Sequence, residues 1–409
     1  MFFELKNIGK IEQARLELRG ITVLAGKNST GKSTFGKALF CMFAAFFDSA
    51  RTIRTERKKS IFELIQLSSR HLRSGASIDV DILSKKISDA DSVEKLRAIV
   101  DGLTAKQHGA GVDKDVADIL KSQLETYIAI SDEQMQRDLL TRYLKAVFDG
   151  QVLHVNKPNT TGEISLTIRE KQLQAIIKGS ECVSYIDDVG VMHKAFYIDT
   201  PFILDKINQY NQLPYPKYSH QGLLIKYLRR NEDENGIIEA AVAKQKLDNI
   251  LTHINSVVCG DFKKTEQGWG FQLCDLEYPL SFTDVSAGMK PFLIIKRLLE
   301  VGELKEQDVL ILDEPEIHLH PKWQIEFAKL LVLLQKEFKL TILLTTHSPY
   351  FLDALEVYSA DQGIADNCNY YLTTNGDEYC CAEDVTKHTG SIYKLLAEPL
   401  DQLEEKRCD

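Results

Sequence analysis

The stretch AGKNSTGKST, from Ala25 to Thr34, is built from residue types that suit one task. It fits the spacing G-x-x-x-x-G-K-[ST] in full, with Gly26, Gly31, Lys32 and Ser33 at the constrained positions. Lys27, Asn28, Ser29 and Thr30 lie between the glycines, and Thr34 follows. Glycines let successive backbone N–H groups converge on a phosphate, and a helix opening near Lys32 adds the positive end of its dipole. The Lys32 ammonium suits β- and γ-phosphate oxygens, and the Ser33 hydroxyl suits Mg²⁺.

A second stretch, LILDEPEIHLHP from Leu310 to Pro321, supplies complementary chemistry. An apolar run ends in Asp313, which can hold Mg²⁺ through water, and Glu314 follows as a candidate general base for an attacking water. An acidic pair there could instead cap the next helix. In LTTHSP, His347 ends another apolar run and could touch a γ-phosphate, although a histidine in that place is often structural. In VSAGMK, Ser286 and Gly288 open a helix with small residues. They would let backbone donors approach a phosphate, or serve as an ordinary cap.

These pieces need a frame. The opening FFELKNIGKIEQARLELRGITVLAG alternates in short runs broken by Gly9 and Gly20. It predicts two hairpin strands, then a buried strand Ile21 to Leu24 that ends at Gly26, with a helix from about Lys32. From Arg51 to Phe148 the chain is charged and rich in helix formers, with a turn at HGAGVDKD, so it predicts an inserted compact helical arm. Strands return in QVLHVN, GEISLTIREK and KAFYIDT, with NKPNTTG as a turn, and residues 201–253 read as mostly helical around the loop NQLPYPKYSHQG. After Gly260 come the strand GWGFQLCDLEYPLSF, a helix in SAGMKPFLIIKRLLEVG, then strand DVLILD, helix PKWQIEFAKLLVLLQKEF and strand KLTILLTTHS. Continuous apolar strands alternating with helices imply a parallel sheet covered on both faces. A strand pair and a helix end the chain. The expected divisions are 1–50 and 256–409 as two lobes of one head, 51–150 as the arm, and 151–255 as a mixed return segment.

Composition narrows the class. With 44% hydrophobic and 27% charged residues the chain reads as an ordinary soluble protein, and the N-terminus lacks a leader pattern, so the cytoplasm and no membrane are expected. A net charge of −9 argues against a surface that coats nucleic acid everywhere, yet RTIRTERKKS gathers Arg51, Arg54, Arg57, Lys58 and Lys59 as a candidate phosphate-contacting helix. The eight cysteines show no zinc spacing and are expected to be unlinked thiols. No N-K-x-D guanine reader is present, which favours ATP over GTP.

Together, Gly26 to Thr34, Ser286 to Lys290, Leu310 to Pro321 and Thr345 to Pro349 resemble the ABC-type heads of the SMC/Rad50/RecF group. The wording DEPEIHLHP is more similar to the OLD-like AAA family ATPases of bacterial defence systems. The interval between the phosphate loop and Ser286 is much longer than in transporter ATPases and matches a group that inserts an arm between two lobes. The resemblance implies an α/β P-loop NTPase fold of ABC/SMC type and ATP with Mg²⁺ as ligands. It implies a homodimer, or higher oligomer, of heads in which one protomer offers Lys32, Ser33, Asp313, Glu314 and His347 and the other Ser286 and Gly288. His318 and His320 would then lie near the dimer interface or pack as part of a helix entry. The glutamine that usually joins the lobes is not identifiable, with YIDTP (Tyr197 to Pro201) in a plausible place. The residues after His347 are too few for a TOPRIM nuclease, so a separately encoded effector, a nuclease above all, is expected, as in Septu-like or retron-associated systems. DNA or another nucleic acid bound directly, as in a repair clamp, is the alternative, and a transporter ATPase the least favoured.

Overall fold

Phe3, Leu5 and Ile8 alternate with polar neighbours along β1 (Phe2–Ile8), so one face is buried, and Gly9 turns the chain into β2 (Ile11–Glu17). β3 (Ile21–Gly26) is different: all six residues are buried, as a strand covered on both faces requires. The computed structural model describes residues 1–71, 86, 94–99, 114–154, 156–157, 159–209, 217–231, 237–266, 268–376 and 379–408. Helices α1 (Lys32–Phe46), α2 (Ser49–His71), α3 (Lys114–Ala129) and α4 (Asp132–Val147) follow β3. Most of the turn expected at residues 108–115 and half of the loop expected at residues 211–222 lie outside the described residues, while residues 114–115 and 220–222 belong to α3 and α5.

The chain then forms β4 (Thr161–Ile168), β5 (Lys171–Lys178), β6 (Glu181–Asp187) and β7 (Ala195–Ile198). Helices α5 (His220–Leu228) and α6 (Ile237–Val257) lead to β8 (Gly260–Thr265), β9 (Gly268–Leu273) and α7 (Lys290–Glu300). Last come β10 (Val309–Asp313), α8 (Pro321–Phe338), β11 (Thr341–Thr346), α9 (Pro349–Asp361), β12 (Cys368–Asn375), β13 (Cys380–Asp384) and α10 (Gly390–Cys408).

Among the described residues, eleven strands form one sheet in the order β6-β5-β4-β1-β2-β13-β12-β3-β11-β10-β7. This is an α/β fold with a large mixed sheet, in which the apolar strands pair in parallel as their runs predict and an antiparallel wing is added. β12, β3, β11, β10 and β7 are parallel neighbours, whereas β6, β5, β4, β1 and β2 form an antiparallel wing. The wing was hard to read because β5 and β6 carry half-polar alternation in place of continuous apolar runs. QVLHVN, expected as a strand, contributes only a single bridge from Leu153 to Ile8.

The main core packs α5, α6, α7, α8 and α9 on one face of the parallel strands through Ile225, Ile254, Phe292, Phe327 and Phe351. Two compact units arise: residues 1–47 with 140–409, and residues 48–139. Within the second, α2 packs on α3, and the Arg57 guanidinium is buried, donating to Ile130 O at 2.6 Å and Asp132 Oδ1 at 2.7 Å. Arg57 is therefore committed inside its own unit and does not belong to an exposed basic face. Against the expectation of unlinked thiols, Cys259 and Cys274 are joined in a disulfide at the base of the β8–β9 hairpin, while Cys41, Cys182, Cys368, Cys380 and Cys381 take part in no disulfide among the described residues. Residues far apart in sequence meet there because the hairpin pairs Gly260 with Leu273.

Candidate functional site

Register decides what meets what. Asp313 pairs with Thr345 across β10 and β11, Thr345 pairs with Leu24 across β11 and β3, and Gly26 pairs with Thr373 of β12. All four strands are parallel, so their carboxyl ends open on one edge of the sheet, where open α/β folds bind ligands. The loop 26–31, the acidic pair and His347 all leave from that edge.

The loop is shaped by its glycines. Gly31 caps α1 at φ 78°, in the left-handed region. Gly26 has φ 156°, and a Cβ there would stand 2.2 Å from Thr373 Oγ1. Thr30 is pinned from below, its hydroxyl 2.7 Å from that of Thr373 and donating to Lys27 O at 2.8 Å. Lys27, Asn28 and Ser29 are exposed, and Ser33 and Thr34 are half-buried on the first turn of α1. Lys32 is almost fully buried, and its ammonium donates to Gly26 O at 3.1 Å and Lys27 O at 2.9 Å. Burial lowers its pKa, opposed by the charges of Glu314, Asp313 and Glu316.

The acidic pair is held just as closely. Asp313 Oδ1 accepts from Thr345 Oγ1 at 2.6 Å, and Oδ2 accepts from the Tyr197 hydroxyl at 3.1 Å. The Tyr197 ring is buried, and burial, with Asp313 and Asp199 close by, lifts its hydroxyl pKa well above the ordinary value. Thr345 Oγ1 also accepts from Glu314 N–H at 2.9 Å. Glu314 has φ 49°, a conformation uncommon outside glycine and often found at functional sites. Its Oε1 lies 4.0 Å from Lys32 Nζ and 2.8 Å from His347 Nε2, the latter without the alignment of a hydrogen bond. Burial and the nearby Lys32 lower the His347 pKa more than Glu314 raises it, which favours the neutral imidazole.

A cleft of about 690 Å³ opens above the loop. Ser29 to Thr34 and Glu314 line one side; Gly9 and Lys10 from the β1–β2 turn, with His154, form the other. Lys32, Glu314 and His347 are thus brought together, with Asp313 immediately behind. Ser286 and Gly288 do not line this cleft. Ser286 is exposed; Gly288 is buried, and a Cβ there would lie 3.0 Å from the Trp323 ring. His320 caps α8, its Nδ1 accepting from Lys322 N–H, with Pro321 at the first helical position. His318 packs edge-on against Phe202, with ring centroids 4.9 Å apart.

Sequence reasoning passed over Tyr197 as a partner of Asp313, and it also passed over Glu316. Glu316 is buried and accepts from Thr346 Oγ1 at 2.5 Å and His347 N–H at 2.7 Å. Its signal was a carboxylate placed between Pro315 and Ile317, where a buried acid must find partners. At the place where a lobe-linking glutamine was sought stands Asp199, 2.8 Å from His220 Nε2 and within reach of Gln221 Nε2 at 3.2 Å. Burial works to raise its pKa, but the His220 and Gln221 bonds outweigh that and leave it lowered.

The donor set fits a magnesium–nucleotide: a glycine loop that admits no Cβ at Gly26, a buried ammonium, and a carboxylate steadied at both oxygens yet still carrying free lone pairs. Fold and site together define a P-loop nucleotide-binding protein of the α/β class. The chain belongs to the AAA ATPase domain family, whose pattern matches residues 1–352. Two ATP-binding proteins of energy-coupling factor transporters from Clostridium perfringens, EcfA2 and EcfA3, are each 31% identical over 112 residues. That match takes in 27% of this chain and 38% of each relative, so the chain spans well under half the length of these relatives. Among solved structures, an SMC head bound to the C-winged helix domain of ScpA aligns over 95% of this chain and 98% of its own, at 11% identity and a TM-score of 0.44. The SMC head domain from Thermotoga maritima aligns over 94% and 98%, at 10% identity and a TM-score of 0.40. Among the described residues no helix is long and apolar enough to cross a membrane.

Proposed function

We propose that this chain binds and hydrolyses ATP with Mg²⁺, that two heads close around the nucleotide, and that the cycle controls a separately encoded effector, a nuclease, in anti-phage defence. The observation that carries the ATPase part is the meeting of Lys32, Glu314 and His347 at one sheet edge, with Glu314 Oε1 within 4.0 Å of one and 2.8 Å of the other.

In this reading the loop from Gly26 to Thr34 holds the phosphates through backbone N–H groups, with Lys32 as the countercharge. Ser33 and Asp313 hold Mg²⁺, which neutralises developing phosphate charge when bound. Glu314 takes a proton from water, and a neutral His347 beside it orients the reacting groups. Ser286 and Gly288 contribute across the dimer, which accords with their absence from the cleft of the same chain. The divisions 1–50, 51–150, 151–255 and 256–409 then serve as lobe, arm, return segment and lobe, in a cytoplasmic protein. The defence role rests on the resemblance of DEPEIHLHP and its neighbours to OLD-like ATPases.

Sedimentation velocity with a phosphate-release assay tests the ATPase and the dimer together. Glu314→Gln is expected to bind ATP, pair and hydrolyse at least about a hundredfold more slowly, the range seen when a catalytic base is lost. Lys32→Ala is expected to remain unpaired. Turnover by Glu314→Gln at the unmutated rate sinks the assignment. Co-purification of the product of the adjacent reading frame, lost without the arm, tests the effector part.

A further inference from the structure

Glu314 and His347 sit just past the ends of β10 and β11, where no ladder hydrogen bonds hold them. Something else must keep their carboxylate and imidazole apposed at 2.8 Å. Glu316 lies in the turn that Glu314 begins, closed by Ile317 N–H to Glu314 O at 3.2 Å and Leu319 N–H to Glu316 O at 2.9 Å. From there its Oε1 crosses to the other strand end and accepts both the Thr346 hydroxyl and the His347 N–H.

The bonds continue into a closed circuit. Thr346 Oγ1 accepts from Ser348 N–H at 3.0 Å, and Ser348 Oγ donates to Gln324 Oε1 at 2.5 Å. Gln324 Nε2 returns to Leu319 O at 3.0 Å, on the turn where the circuit began. Glu316 does not line the cleft, and its side chain is buried behind the strand ends. Its second oxygen is buried with no hydrogen-bond partner among the described residues, and burial raises the pKa of the carboxyl. A buried acid with one idle oxygen is costly, and an apolar residue would pack that space more cheaply. What the apolar residue could not provide is an acceptor for the His347 backbone.

We infer that Glu316 is a positioning residue that fastens His347 to the turn carrying Glu314, so that histidine and base hold one geometry through turnover. The inference rests on the reading of Glu314 and His347 given above. Only the Oε1 acceptor is used, so a glutamine, whose carbonyl supplies the same acceptor, does the same work.

Steady-state ATPase kinetics on the full chain, with thermal melts, test this. Glu316→Gln is expected to keep kcat within about threefold of the unmutated chain. Glu316→Ala is expected to lose kcat by about ten- to a hundredfold, the scale of an ångström-sized misplacement of a reacting group. Its KM for ATP should stay within about threefold, because the phosphate loop is on another segment. A folded Glu316→Ala with full kcat, a loss confined to KM, or equal slowing of the Gln and Ala variants each overturns the inference. If Glu316→Ala does not fold, Thr346→Val decides, removing at similar volume the donor to Glu316 and the acceptor for Ser348 N–H: a kcat about tenfold lower supports the fastening, and an unchanged kcat refutes it. Glu314→Gln run in parallel separates the two failures. Full turnover there overturns the base reading, whereas slow Glu314→Gln beside full-speed Glu316→Ala overturns the fastening alone.

Discussion

Replacing Tyr197 with Phe removes one hydroxyl and leaves the buried ring in place. That hydroxyl donates to Asp313 Oδ2 at 3.1 Å, while Thr345 holds Oδ1 at 2.6 Å. A hydrogen bond to an ionised group contributes about 1.5–3 kcal/mol, and this one is long for an O–H donor, so the lower end applies. About 1.5 kcal/mol corresponds to roughly tenfold in an equilibrium constant. Partners that orient a metal-binding carboxylate typically matter by about ten- to a hundredfold, which brackets the same figure. We therefore expect Tyr197→Phe to raise the Mg²⁺ concentration at half-maximal ATPase rate about tenfold, with kcat at saturating Mg²⁺ within about threefold. A magnesium titration at fixed ATP measures it. Thr345→Val should do more, since that hydroxyl also accepts the Glu314 N–H. If Tyr197→Phe leaves the half-saturating Mg²⁺ concentration within twofold, Asp313 is not positioned by this bond or does not serve the metal.

Other outcomes follow from the same geometry. Because burial and Lys32 lower the His347 pKa from 6.5, the imidazole charges only as the pH falls below that value. The ATPase rate should be level above pH 6.5 and decline below it, with the decline absent in His347→Gln; a decline centred above pH 6.5 contradicts the assignment. Gly26→Ala places a Cβ 2.2 Å from Thr373 Oγ1 and 2.3 Å from Thr373 O, so overpacking and backbone strain should cost about 2–4 kcal/mol in a denaturant melt and abolish retention of ATP. Arg57→Ala should destabilise by about 2–3 kcal/mol, because the buried guanidinium and its two half-buried hydrogen bonds are lost. Asp132→Ala should cost under about 1 kcal/mol, since Asp132 is largely exposed. Similar losses for both would show that the guanidinium is not the group that matters.

The sequence alone was enough for the local pieces. A strand that must be apolar on both faces, glycines that free the backbone, and a helix opening at Lys32 are all written within Ile21 to Phe46, because each depends on neighbours a few residues away. The acidic strand, the strand before His347 and the closing strand pair were legible for the same reason. Tertiary structure alone decided the rest. The half-polar alternation of β5 and β6 does not say which strand they join, so the antiparallel wing appears only once β1 pairs with β4. Arg57 looks like any exposed cation until α2 meets the chain near Asp132, and Cys259 and Cys274 look unlinked until β8 pairs with β9. Neither Tyr197 in YIDTP nor Glu316 in DEPEIHLHP has a role that its stretch of sequence assigns. They join Asp313 and His347 because parallel strands distant in sequence end side by side, and side-chain hydrogen bonds across strand ends depend on register, which no local pattern encodes.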